Sequence, residues 1–100
     1  MPKFAAPFDT FSKDKKMNEK ELARAIRFMI ASEYEAVQIY EQAANSTNDV
    51  LVRKVFLAIA EEEKVHAGEF LKVLFQIDPN EVTLYKQGFD EVSLLTQKSD

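Results

Sequence analysis

The chain has 100 residues, 46% of them hydrophobic, which is enough for one small domain with a packed core and too few for a large enclosed one. It contains no cysteine, which excludes disulfides, thiolate metal sites and cysteine nucleophiles, so any metal site must be built from oxygen and imidazole. A formal net charge of −4 argues against a nucleic-acid partner, and no apolar run reaches the length of about 18 residues that a bilayer span requires. The opening stretch also lacks the unbroken apolar core of a secretory signal, so a cytoplasmic protein without a membrane partner is expected.

Residues 1–17 hold two of the three prolines, the run "SKDKK", and Phe4, Phe8 and Phe11 with no helical period. They read as an extended arm whose phenylalanines dock on a neighbouring surface, because large apolar side chains are unfavourable in water. At Asn18 the pattern changes: "NEKE" sets a capping asparagine three residues before Glu21, and a helix over about 18–45 follows. Its apolar stripe runs Leu22, Ile26, Met29, Ile30, Glu33, Ala36, Val37, Tyr40 and Ala44, at the spacing of a buried helical face. Glu33 is the single charge in that stripe.

The turn-rich "NSTND" then separates two helical patterns at a length suited to an antiparallel hairpin. The second helix is predicted over about 49–77, with Val52, Val55, Phe56, Ile59, Ala60, Glu63, His66, Ala67, Phe70, Val73, Leu74 and Ile77 on its inner stripe. Glu61, Glu62, Lys64, Glu69 and Lys72 fall on its outer, solvated face. "DPNE" ends this helix and opens a third over about 79–96, with Asp78 as the expected cap and proline in the first turn. Gly88, about 1 kcal/mol less favourable than alanine in a helix, is expected to mark a bend or a close contact. The helical domain spans 18–97, residues 98–100 form a tail, and no internal repeat or glycine-rich phosphate loop is present.

The chemistry gathers on the first two helices. Glu63 and the one histidine, His66, are three residues apart and share a helix face, so a carboxylate and an imidazole can reach one metal ion. Glu33 lies about 13 residues before the turn and Glu63 about 17 after it, so at about 1.5 Å per residue their depths in the hairpin differ by only about 6 Å. Glu-x-x-His alone arises by chance, and a lone histidine on an apolar face is commonly a hydrogen-bonded core residue. Two carboxylates and a histidine at one depth, each the ionisable exception in an apolar stripe, instead favour metal binding, because unpaired buried carboxylates are strongly disfavoured. Glu35 projects away from Glu33 and reads as a metal-attracting or plain surface residue. Tyr40, two turns beyond Glu33, reads as core, with redox participation as the alternative.

Oxygen ligands with one histidine suit iron or manganese, and zinc can occupy such sites. Carboxylate-bridged di-iron bundles take a Glu from each of two helices and a Glu-x-x-His from each of two others. This chain has one of each, so two chains must pair about a two-fold axis and place the centre at their interface.

At "ASEYEAVQIYEQA" and "AEEEKVHAGEF" the sequence resembles the encapsulated ferritins, half-length ferritin-like proteins housed in encapsulin nanocompartments, over roughly residues 20–97. The resemblance implies an all-α fold: an antiparallel two-helix hairpin plus a shorter third helix, pairing about a two-fold axis into a ferritin-like four-helix bundle. It implies a ferroxidase centre of two Fe ions per subunit pair, with Mn, Zn or Ca as substitutes, and a homodimer assembling into a ring, commonly a decamer, with an encapsulin shell as partner. The family's first-helix glutamate maps onto Glu33, its Glu-x-x-His onto Glu63 and His66, and its tyrosine onto Tyr40. Of the glutamate pair that collects metal ahead of the centre, the second matches Glu35 and the first falls on Ser32, a departure that bears on that site. Members carry a C-terminal targeting extension or a fused shell, whereas this sequence closes with "LLTQKSD", so encapsulation is expected on resemblance alone.

The expected activity is oxidation of Fe(II) by O2 or peroxide, for storage or detoxification inside the compartment. The alternatives are a rubrerythrin-like peroxide reductase, which needs an electron donor, and a non-enzymatic helical module whose Glu33, Glu63 and His66 form a polar network that specifies the dimer.

Overall fold

The computed structural model describes residues 16–98 as three helices: α1 (Glu19–Asn45), α2 (Val50–Ile77) and α3 (Pro79–Lys98). Among the described residues there is no strand. The arm and its three phenylalanines lie outside the described residues.

The helix starts follow the local chemistry. Asn18 Oδ1 accepts from the Glu21 amide at 2.8 Å while the Asn18 amide donates back to Glu21 Oε1 at 3.0 Å, a reciprocal cap that satisfies two otherwise orphaned donors. Asp49 Oδ1 accepts from the Val52 amide at 3.0 Å and opens α2 in the same way. Between them the turn is held by Ser46 N to Ala43 O at 3.1 Å and by Arg53 Nη2 to Thr47 O at 2.9 Å.

α1 and α2 form an antiparallel hairpin. Moving up α1, Arg27 meets Asp78, Glu33 meets His66 and Glu41 meets Lys64, so the α2 partners run in the opposite order. With 27 and 28 residues the two helices are each about 40 Å long, and alanines let them approach closely: Ala44, Ala60 and Ala67 are buried between them. The tightest packing lies at the end nearest α3, where Ala23, Ile26, Ile30 and the fully buried Leu74 pack with Leu22, Phe70, Leu71 and Ile77. α3 departs from this end. It is joined to the hairpin through Asp78, and its residues from Val82 to Gln97 are exposed.

Three expectations are corrected. Val52, Val55, His66 and Val73, placed on the inner stripe of α2 by period, are exposed, because that stripe is wider than one partner helix can cover. The Asp78 carboxylate does not cap α3: its backbone carbonyl accepts from the Glu81 amide at 3.0 Å, and the side chain accepts instead from Arg27 at 3.2 Å. Gly88 does not mark a close contact, since a Cβ there would meet nothing within 4 Å, and α3 continues through it.

Candidate metal centre

Halfway along the hairpin, Glu33 of α1 and Glu63 and His66 of α2 each offer a ligand atom, and these atoms lie within 4.8 Å of one another. His66 Nδ1 is 3.4 Å from Glu33 Oε2 and 3.6 Å from Glu63 Oε1. The i, i+3 spacing puts Glu63 and His66 on one side of α2, and the antiparallel pairing brings Glu33 to their level. Both carboxylates are 19% exposed, whereas His66 is 47% exposed. The cluster therefore sits at the rim of the hairpin, with His66 its most exposed member.

Glu33 Oε2 is buried and has no hydrogen-bond partner. An unpartnered buried carboxylate oxygen is unfavourable by itself. A hydrogen bond between the Glu63 and Glu33 carboxyls is the largest cause holding Glu63 above its ordinary pKa; burial and the charge of Glu33 add to it, and His66 opposes it. The residues fit a divalent cation: oxygen and imidazole ligands about 2.1 Å from one ion stand roughly 3–4 Å apart, close to the spacing found here.

Glu35 is exposed on α1 and outside this cluster. Tyr40 is half-buried, its ring stacked on Phe56 with centroids 6.4 Å apart.

The sequence reading missed a second polar cluster, at the joint between α2 and α3. Arg27 Nε donates to Glu81 Oε1 at 2.9 Å and Arg27 Nη2 to Asp78 Oδ2 at 3.2 Å, while the Tyr85 hydroxyl donates to Glu81 Oε2. Glu81, 7% exposed, is the buried charged residue of the described chain, and Arg27 holds it below the usual carboxylate range against the opposing effect of burial. Glu81 in turn pushes Tyr85 up to about 12. The one local signal was the Glu81–Tyr85 spacing of four; Arg27 is 54 residues away from Glu81, and no periodic pattern connects them.

Comparison with known proteins places the fold. The rubrerythrin family model matches residues 16–95. The crystal structure of the encapsulated ferritin domain from Pyrococcus furiosus superposes with a TM-score of 0.82 at 42% identity, covering 89% of this chain and 91% of that one. The chain therefore belongs to the rubrerythrin family of ferritin-like helical proteins, and within it to the encapsulated ferritins.

Two curated relatives extend the comparison. A ferritin-like–encapsulin shell fusion protein of Pyrococcus furiosus is 44% identical over 85 residues, which are 85% of this chain and 25% of that protein. The encapsulin nanocompartment cargo protein EncC of Myxococcus xanthus is 28% identical over 82 residues, 82% of this chain and 63% of that protein. The chain thus spans a quarter of the first and less than two thirds of the second. Among the described residues no helix is long and apolar enough to cross a membrane.

Proposed function

We propose that this protein is a ferroxidase, oxidising Fe(II) to Fe(III) at a di-iron centre shared by two chains. The observation that carries this reading is the buried Oε2 of Glu33, which has no hydrogen-bond partner and faces Glu63 and His66 at the rim of an incomplete bundle. One chain supplies half of the set that carboxylate-bridged di-iron bundles use. A second hairpin, related by a two-fold axis, completes it with four glutamates and two histidines and covers the exposed apolar edge of α2 formed by Val52, Val55 and Val73.

In that arrangement Glu63 of each chain bridges, and Glu33 and His66 are terminal ligands. Iron is the substrate. Each of two Fe(II) ions gives up one electron; O2 takes both electrons with two protons and leaves as H2O2, or peroxide takes them with two protons and leaves as two waters. Anionic carboxylates favour the more highly charged ferric product, and a cation held between Glu33 and Glu63 offsets the repulsion that helps to raise the Glu63 pKa. Glu35, exposed on α1, attracts metal toward the centre, and the Tyr40 phenol is the nearby redox-capable group. The dimers assemble into a ring, with a decamer as the expected size. The names of the two curated relatives support an encapsulin shell as partner, with iron stored or detoxified in that compartment.

The family model favours one second reading, a rubrerythrin-like peroxide reductase. Anaerobic loading of metal-free protein with Fe(II), followed by air or peroxide with and without an added electron donor, distinguishes the two. A ferroxidase binds two Fe per pair of chains and oxidises them without a donor. Sustained peroxide consumption that requires the donor would replace the ferroxidase reading, and binding of no iron would remove both.

A further inference from the structure

The direction in which α3 leaves the hairpin needs a physical cause, and apolar packing supplies little beyond the edge-on contact of Tyr85 with Phe75. Every residue from Val82 to Gln97 is exposed, including Phe89 at 71% and Leu95 at 67%. An open groove of about 510 Å3 lies between Ile30 and Tyr34 of α1, Leu71 and Phe75 of α2, and Tyr85 and Phe89 of α3, so α3 stands off the hairpin rather than lying on it. The link between α2 and α3 is Asp78 alone, which closes α2 and leaves a single joint for the third helix to swing about.

The polar cluster crosses that joint. Arg27, two turns into α1, holds Asp78 at the joint and Glu81 in the first turn of α3. Tyr85, one turn further on, donates to the second oxygen of Glu81, and its ring meets Phe75 of α2 edge-on at 5.5 Å. Both Glu81 oxygens are thus engaged, from α1 and from α3 itself. A guanidinium addressing two carboxylates through its planar fork fixes angle as well as distance, which a point charge does not. Swinging α3 away would break the charge-assisted bonds from Arg27 to Glu81, so the pairing resists that motion.

We propose that Arg27, Asp78, Glu81 and Tyr85 form a latch that sets the angle of α3 relative to the α1–α2 hairpin, with Arg27 and Glu81 as its positioning residues. The latch is separate from the Glu33, Glu63 and His66 cluster and contains none of its residues. Through it, charge pairing between the first and third helices decides where the exposed apolar residues of α3 point.

The absence of cysteine allows a direct test, because a cysteine introduced at each of Gln38 and Gln97, both exposed, carries the only spin labels in the chain. Pulsed electron paramagnetic resonance on doubly labelled full chain, diluted with unlabelled protein, reads the α1–α3 distance distribution. The unmodified latch should give one narrow distribution. Arg27→Gln and Glu81→Gln should each displace it or broaden it about twofold with helix content by circular dichroism unchanged, and Arg27→Lys, which keeps the charge but not the fork, should fall between. An unchanged distribution in both glutamine variants would overturn the proposal. So would loss of helix content in both, since the cluster would then be needed for folding rather than for direction.

Discussion

Glu33→Gln tests the central geometric claim most directly, because it keeps the side-chain volume and removes the charge. In metal-free protein the Glu33 Oε2 is buried without a hydrogen-bond partner, 3.4 Å from His66 Nδ1 and beside the Glu63 carboxyl. A buried unsatisfied polar group is unfavourable by about 1–3 kcal/mol. Replacing the carboxylate by an amide relieves part of that, and a gain of about 1 kcal/mol raises the melting midpoint of a domain this size by about 4–8 °C. With a divalent cation the order should reverse. A ligand at a hundred times its dissociation constant stabilises the state that binds it by about 2.7 kcal/mol, or roughly 11–22 °C. The wild type should show a rise of that order and Glu33→Gln little of it. The assay is thermal unfolding followed by circular dichroism at one fixed protein concentration, in chelator and then in excess Mn(II), which avoids oxidation during the scan. An equal metal-induced rise in both proteins would refute the assignment of Glu33 as a ligand. A metal-free variant that melts several degrees below the wild type would refute the claim that its buried carboxylate oxygen is unfavourable without a cation.

Glu63→Ala and His66→Ala should each abolish rapid Fe(II) oxidation, because one substitution removes two ligands from a two-fold centre; wild-type rates in stopped-flow ferric absorbance would contradict this. Glu35→Ala should leave the iron stoichiometry unchanged and alter only the rate of uptake, and loss of bound iron in elemental analysis would place Glu35 at the centre instead. Leu74→Ala, at a fully buried position, should lower stability by about 2–5 kcal/mol in urea unfolding. Glu81 has a folded pKa lowered by Arg27, so its contribution is present above the unfolded value of about 4.3 and is lost as the pH falls through the folded one. The melting difference between wild type and Glu81→Gln should accordingly hold steady above about pH 5 and shrink in more acid solution.

Most of the hairpin was legible in the sequence, since caps and period are local properties. Asn18 with Glu21 acts within one helical turn, and the structure places the pair as its spacing predicts. The grouping of Glu33, Glu63 and His66 was also legible, because the hairpin has a short turn and equal arms, and counting residues from that turn fixes depth. Periodicity could not say how much of a stripe one neighbour covers. The same stripe on α2 contains the buried Ala67 and Leu74 and the exposed Val55 and Val73, and only the position of α1 divides them.

The sequence by itself determined three helices, an antiparallel hairpin and the chemical identity of the three candidate ligands, because each depends on residues a few positions apart or on a count from one turn. Tertiary structure alone decided that Glu33 Oε2 is unpartnered, that His66 stands at the open rim, and that Glu81, which reads as an ordinary first-turn acid, is buried against Arg27. These depend on the distance and rotation between helices far apart in the chain. Those quantities follow from the packing of many side chains at once, whereas the helical period records only which residues share a face of their own helix.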